Sequence, residues 1–123
     1  MREIKFRAWD KEEKKMVYDV EYAYDGYPID TASSFGEMLD CPDFYNVMQY
    51  TGLKDKNDKE IYEGDIVHFK TLRSKEYIGE VKSYEDAASF FVVVKKHYME
   101  CLDDVYELKV LGNIYENKEL LDE

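Results

Sequence analysis

The chain is short of the residues that most catalytic, metal-binding and secreted proteins depend on. It holds 2 cysteines among its 123 residues, Cys41 and Cys101, in no Cys-x-x-Cys arrangement. Two thiols cannot build a disulfide framework or, alone, a thiolate metal site, so both are expected to be reduced and partly buried. Histidine is as scarce: His68 and His97 each sit in a strand-like segment without a neighbouring nucleophile or ligand. A strand histidine is usually structural, and none of the spacings that carry a catalytic mechanism is matched. Basic residues are outnumbered 28 to 17, for a net charge of -11. That field repels phosphate backbones, which disfavours direct nucleic-acid binding and suits basic partners or plain solubility. The longest strongly apolar run is Phe90–Val94, and the opening "MREIKFRAWD" is interrupted by Arg2, Glu3, Lys5 and Arg7. Neither a membrane span nor a signal segment is expected, which makes the cytoplasm the expected compartment.

Ring surface, by contrast, is plentiful. Aromatics reach 15%, 12 of them tyrosine, too much for a disordered acidic chain. One domain over residues 1–123 is expected, in which an N-terminal hairpin (1–25) would pack on a barrel (45–115). The hydrophobic period is mostly two. Ile4, Phe6 and Ala8 alternate with Lys5 and Arg7; after the turn-like "DKEEKK", Tyr18, Val20, Tyr22 and Tyr24 share one face up to Asp25-Gly26. This reads as a hairpin. "SFGEML" offers Ser34 and Glu37 as a capping box for a short helix that Pro42 would end. "NVMQYT" has strand character, a strand is expected at 66–70, and others at "YIGEVKSY", "SFFVVVKKHY" and "VYELKVLG". The apolar run in "SFFVVVKKHY" predicts a central strand covered on both faces, and "ENKELLDE" a frayed helical turn. The fold class is mainly β: a small pseudo-barrel of short strands with an N-terminal hairpin and short helical caps.

The stretch "QYTGLKDKNDKEIYEGDIV" invites a ligand reading. A calcium loop from Asp55 would have Lys59 at its fifth position, Glu60 in place of the required glycine and Ile66 in place of the bidentate carboxylate. A phosphate loop from Gly52 would meet Asn57 where its second glycine belongs. "KDKNDKE" is explained as a turn, because Asn and Asp bond their own backbone and tolerate left-handed dihedrals. With 28 acids, any two can be paired on paper for metal or glycosidase chemistry, and the signal has no specificity. Tyrosines at 18, 22, 24, 27, 45 and 50 suit core packing or a contact surface, since a basic groove for stacked bases is missing.

Four blocks, "MREIKFRAWD", "VMQYTGLKDKN", "EIYEGDIV" and "LGNIYEN" with "ELL", resemble in order the YopX family of phage and prophage proteins. Residues 19–46 and 70–108 carry no such block. Two departures stand out: the family usually has glycine where Asp58 stands and proline where Lys118 stands. The resemblance implies a mostly β pseudo-barrel with short helical caps, encoded by a phage or prophage, and no activity to carry over. It also implies that the opening stretch connects strands, with Gly64 giving backbone freedom, Asp65 capping the turn and Tyr62 anchoring it.

The expectation is a non-enzymatic accessory protein that binds another protein or itself, without cofactor, metal ligand or catalytic residue. Lys54, Lys56, Asn57, Tyr22, Tyr24 and Tyr50 are the candidate contact residues. The alternative is an acidic mimic of nucleic acid that blocks a host enzyme, against which the interleaved lysines of "DKEEKK" and "KDKNDKE" count.

Overall fold

The computed structural model describes residues 4–22, 35–84, 89–94 and 98–121. The chain is mostly β, with one short α-helix, and divides into two compact units, Met1–Tyr50 and Thr51–Glu123. No helix among the described residues is long and apolar enough to cross a membrane.

In the first unit, β1 (Phe6–Asp10) and β2 (Lys15–Tyr18) pair antiparallel as the expected hairpin, from Asp10↔Lys15 to Arg7↔Tyr18. Asp10 makes the turn. Its Oδ1 accepts the N–H groups of Glu12 and Glu13, each at 3.0 Å, and its carbonyl accepts that of Lys14, whose φ is 55°. The second strand is shorter than its alternation predicts. Asp19 turns left-handed at φ 59° and Val20–Tyr22 coils into a 3₁₀ turn, because this drops Val20, at 0% exposure, into the core. Tyr24, Asp25-Gly26 and Ser34 lie outside the described residues, as does His97. Helix α1 (Phe35–Asp40) follows and ends ahead of Pro42, as expected. The strand β3 (Tyr45–Lys54) begins in this unit, where it pairs with β1 from Phe6↔Gln49 to Asp10↔Tyr45. Ala8, Val20 and Met38 form the core, with Phe6 and Phe35 rings 5.1 Å apart above it. Ile4 does not join its expected partners: it precedes the strand and is 67% exposed. Arg7, expected on a solvated face, is buried at 3% exposure, so the face of β1 opposite Phe6 and Ala8 is covered as well.

In the second unit, the end of β3 pairs with β4 (Glu60–Tyr62). A five-stranded curled sheet follows: β5 (Asp65–Lys70), β6 (Glu76–Tyr84), β7 (Ser89–Val94), β8 (Tyr98–Cys101) and β9 (Tyr106–Asn113), in the order β8-β7-β6-β5-β9. Val67 and Phe69 of β5 are sealed from solvent with Ile61, Val81, Val92 and Leu102, each such side chain contributing roughly 1.5–3 kcal/mol by leaving water. Curling has a visible cause. The β5–β9 register slips twice, Val67 facing Val110 after Ile66 faces Gly112, and Lys70 facing Tyr106 after His68 faces Lys109. Each slip adds a residue to β9 and bends it, the second where Glu107 adopts φ 52°. The strand expected to be central, β7, is not: β6 holds the centre, and only Val92 of β7 is fully buried, the other face being half open. "SFFVVVKKHY" divides, β7 ending at Val94 and β8 starting at Tyr98. Leu102–Asp104 and Lys118–Leu121 form 3₁₀ turns, the second where a frayed turn is expected. Both cysteines are free and half-buried.

The blocks that resemble the family fold onto one another. Asp55 Oδ1 accepts the N–H groups of Asn57 (2.8 Å) and Lys59 (2.9 Å), while Oδ2 accepts that of Val110 on β9 (2.8 Å). Lys56 donates its N–H to the Leu108 carbonyl at 2.8 Å, so the "KDKNDKE" turn covers part of the β9 edge. Gly64, at φ 86°, donates to the Val81 carbonyl and accepts from Ile114 N–H, both at 2.9 Å. Asp65 Oδ2 caps the same turn by accepting Tyr62 N–H at 2.8 Å, and Tyr62 is buried, as the resemblance implies. Asn113 Oδ1 accepts the N–H groups of Tyr115 and Glu116, each at 2.9 Å, and the Asn117 side chain sits where a Cβ on Gly112 would be.

Asp58 has φ 67°, the left-handed region. A glycine, which the resemblance implies for this position, would adopt this dihedral without strain, and Asp58→Gly is expected to raise stability by about 0.5–1 kcal/mol in urea unfolding. A loss of stability would show that the unfolded-state freedom of glycine outweighs the relief of strain.

Candidate functional site

The β5–β6 turn (71–75) and the Leu102–Asp104 turn stand on either side of a cleft of about 690 Å³ in the second unit. Tyr77, Tyr98 and Tyr106 line it, with Leu72, Arg73 and Lys75 on one bank and Glu100, Asp103 and Asp104 on the other. Tyr77 and Tyr106 belong to strands that also send Val81 and Leu108 into the barrel core. The cleft is thus the mouth of the curled sheet. Rings lead to it from the core: Phe69 to Tyr77 at 5.9 Å and Tyr77 to Tyr98 at 5.2 Å, both tilted. Leu72 at the turn tip is 80% exposed, and Tyr106 is 52% exposed. The β9 bulge at Glu107 sets the direction in which its neighbour Tyr106 leaves the strand, and Glu107 is held by Lys70 Nζ at 2.9 Å. That bond first, then the attraction of the charges, holds the Glu107 carboxyl below its ordinary value and lifts Lys70.

Tyr98 O–H donates to Glu100 Oε1 at 2.7 Å. This bond first, then desolvation and the negative charge of Glu100, pushes the phenol up to about 12. Tyr98 is therefore expected to remain a neutral donor long after an ordinary tyrosine has ionised. Carbon-13 labelling of the tyrosine rings checks this: the Tyr98 resonance should titrate well above the ordinary tyrosine range and return toward it in Glu100→Gln.

A smaller hollow of about 350 Å³ is lined by His68, Glu76, Leu120 and Leu121 among others. His68 Nε2 lies 3.0 Å from Glu76 Oε1 across the β5–β6 pair, and among the described residues no serine, threonine or cysteine lines the hollow. Among the described residues no group of three or more His, Cys, Asp or Glu side chains is placed to hold a metal.

The residues proposed from sequence fall elsewhere. Lys54 ends β3, and Lys56 and Asn57 lie in the β3–β4 turn that follows. Lys54 Nζ is 3.9 Å from Asp58 Oδ1 with both side chains well exposed, a pair of little energetic weight. Tyr22 is 63% exposed on its 3₁₀ turn in the first unit. Tyr50 is 3% exposed, with the Lys5 ammonium 5.8 Å from its ring centroid, and as a buried side chain it offers no face to a partner. Tyr24 lies outside the described residues. Tyr77, Tyr98 and Tyr106 were not singled out by sequence, although each stands at the turn-facing end of its strand, where an alternating ring reaches a barrel mouth.

A model of the YopX protein family matches residues 5–122. The chain belongs to the YopX family. Among solved structures, the YopX-like fold is shared with protein EF1440 from Enterococcus faecalis, 28% identical, TM-score 0.64, covering 98% of this chain and 99% of that one. Protein yopX from Bacillus subtilis is 23% identical, TM-score 0.56, covering 95% and 97%, and shows the fold alone. No curated protein matches the chain. The cleft residues, 71–106, fall in the part of this YopX chain that carries none of the resembling blocks.

Proposed function

We propose that this member of the YopX family is a phage or prophage accessory protein of the host cytoplasm that works without chemistry of its own, by binding another protein at the Tyr77–Tyr98–Tyr106 cleft. The observation that supports this reading is the set of three rings on a partly polar mouth that opens from a packed core. Tyrosine supplies large, rigid contact area at low entropic cost and a polar tip, the chemistry enriched at protein contacts. The mimic reading gains nothing comparable, because Glu100, Asp103 and Asp104 share their cleft with Arg73 and Lys75.

The experiment is site-specific crosslinking in bacterial cells, with a photoreactive phenylalanine analogue at Leu72 and, as control, at Lys54. A discrete adduct from position 72 that weakens in Tyr106→Ala supports the reading. An adduct from position 54 alone transfers the contact to the β3–β4 turn, and no adduct from either overturns it.

A further inference from the structure

From β5 to β8 the chain runs as an antiparallel meander; the Leu102–Asp104 3₁₀ turn then returns it as β9, which pairs with β5. Five strands in this order, closed through a 3₁₀ turn, make the connectivity of SH3-like barrels. That superfold hosts unrelated functions, so the fold assigns nothing until the chemistry of the site agrees with it. Here two features of the site agree. The cleft lies between the turn joining the first two barrel strands and the 3₁₀ turn, and rings cover it: Tyr77 and Tyr98 at 5.2 Å, with Tyr106 beside them.

Aromatic grooves of this build suit a polyproline II helix. Such a segment has about three residues per turn, no internal hydrogen bonds and little conformational entropy left to lose, so its proline rings pack on flat aromatic faces while its carbonyls remain available as acceptors. An α-helix would need a continuous apolar groove, whereas this lining is mixed ring and charge. The charges also choose. Three carboxylates, Glu100, Asp103 and Asp104, face two cations, Arg73 and Lys75, in a chain of net charge -11. Glu100 is already engaged by Tyr98 O–H, leaving the adjacent pair on the 3₁₀ turn as the place for a cation.

We propose that the cleft takes a proline-rich segment of the partner in the polyproline II conformation, with an arginine or lysine of that segment seated against Asp103 and Asp104. This rests on the protein-binding reading above and names the class of ligand for the same site.

The test uses the full chain, isotope-labelled, titrated with three peptides of equal length: an arginine-capped oligoproline, a glutamate-capped oligoproline, and an arginine-capped, strand-forming threonine-valine repeat. The first is expected to shift resonances of residues 71–77 and 98–106 saturably and to bind at least about tenfold more tightly than the other two. Tyr106→Ala, at an exposed position that leaves the core intact, should weaken it about tenfold, the weight of one aromatic anchor. Asp103→Lys with Asp104→Lys should erase the preference for arginine over glutamate. Equal or tighter binding of the threonine-valine peptide would overturn the polyproline assignment in favour of strand addition, with protein binding at the cleft intact. Silence of the cleft toward all three would overturn it too, and the crosslinks from position 72 then decide the broader reading independently.

Discussion

Asp55→Ala is expected to remove about 3–5 kcal/mol of stability, read as a lower urea midpoint at unchanged slope. The side chain is 7% exposed and both its oxygens are occupied. Oδ1 holds the turn from inside through Asn57 and Lys59 N–H, and Oδ2 holds the turn to the barrel through Val110 N–H. Deleting the carboxylate strips a charge-assisted partner from the Val110 N–H and unties the loop that covers this part of β9, so the loss exceeds that of an ordinary exposed turn residue. Asn57→Ala gives the contrast. Asn57 contributes its backbone N–H to Asp55, which alanine keeps, and its side chain is exposed, so a change within about 0.5 kcal/mol is expected. Equal losses at the two positions would mean that the turn is held by local asparagine chemistry and not by the carboxylate.

The same carboxylate sets a pH dependence whose sign is fixed by the structure. Burial raises its pKa, but the bonds from Val110, Lys59 and Asn57 and the charge of Lys59 prevail and hold it below the ordinary aspartate value. A carboxyl with a depressed folded pKa contributes stability above its unfolded pKa, near 3.9, and loses that contribution as pH falls through the folded value. Below about pH 4 the native chain should therefore lose stability faster than Asp55→Asn. The comparison must be a difference between the two proteins. Burial raises Glu80 against weaker opposition from Lys82 and Lys118, and this group gains stability on acidification, in both alike.

The Asp55 turn also marks what was legible in the sequence. That "KDKNDKE" turns followed from side chains that satisfy their own neighbourhood, because local chemistry is written locally; the roles of Gly64 and Asp65 in the next turn were implied by the resemblance. Alternation gave the strands for the same reason, because the period of two is a property of a single segment. It failed at Val20, where a 3₁₀ turn buries the same valine that a strand would have, and at β7, where a run of five apolar residues cannot reveal whether a second layer exists to cover it. The cleft was illegible for a deeper reason. Tyr77, Tyr98 and Tyr106 are brought together by sheet order and by a bulge in β9, and in sequence each is only a ring at the start of a strand. The blocks resembling the YopX family point to the scaffold instead: Asp55, Gly64, Asp65, Gly112 and Asn113 bond one another's elements and none lines the cleft.

Gly64→Val tests that division between scaffold and site. At φ 86° a β-branched residue meets its own backbone, and the strain cannot be relieved by rotating the peptide, because the N–H is committed to Val81 and the carbonyl to Ile114, each at 2.9 Å. Either the strain is kept or two buried bonds are broken, and in both cases about 3 kcal/mol or more is lost. Asparagine tolerates the left-handed region better than alanine, and alanine better than valine, so stability at position 64 should descend from glycine through asparagine and alanine to valine. Alanine as harmless as asparagine would place the cost in side-chain volume and not in the dihedral. The functional consequence separates the two parts of the molecule. Gly64→Ala, while still folded, should bind the arginine-capped oligoproline as the native chain does, since position 64 lines no part of the cleft, whereas Tyr106→Ala should bind it about tenfold more weakly at nearly native stability. If both variants lost binding in proportion to stability, the cleft would be no more than a readout of the fold, and its three tyrosines would be core residues that happen to reach the surface.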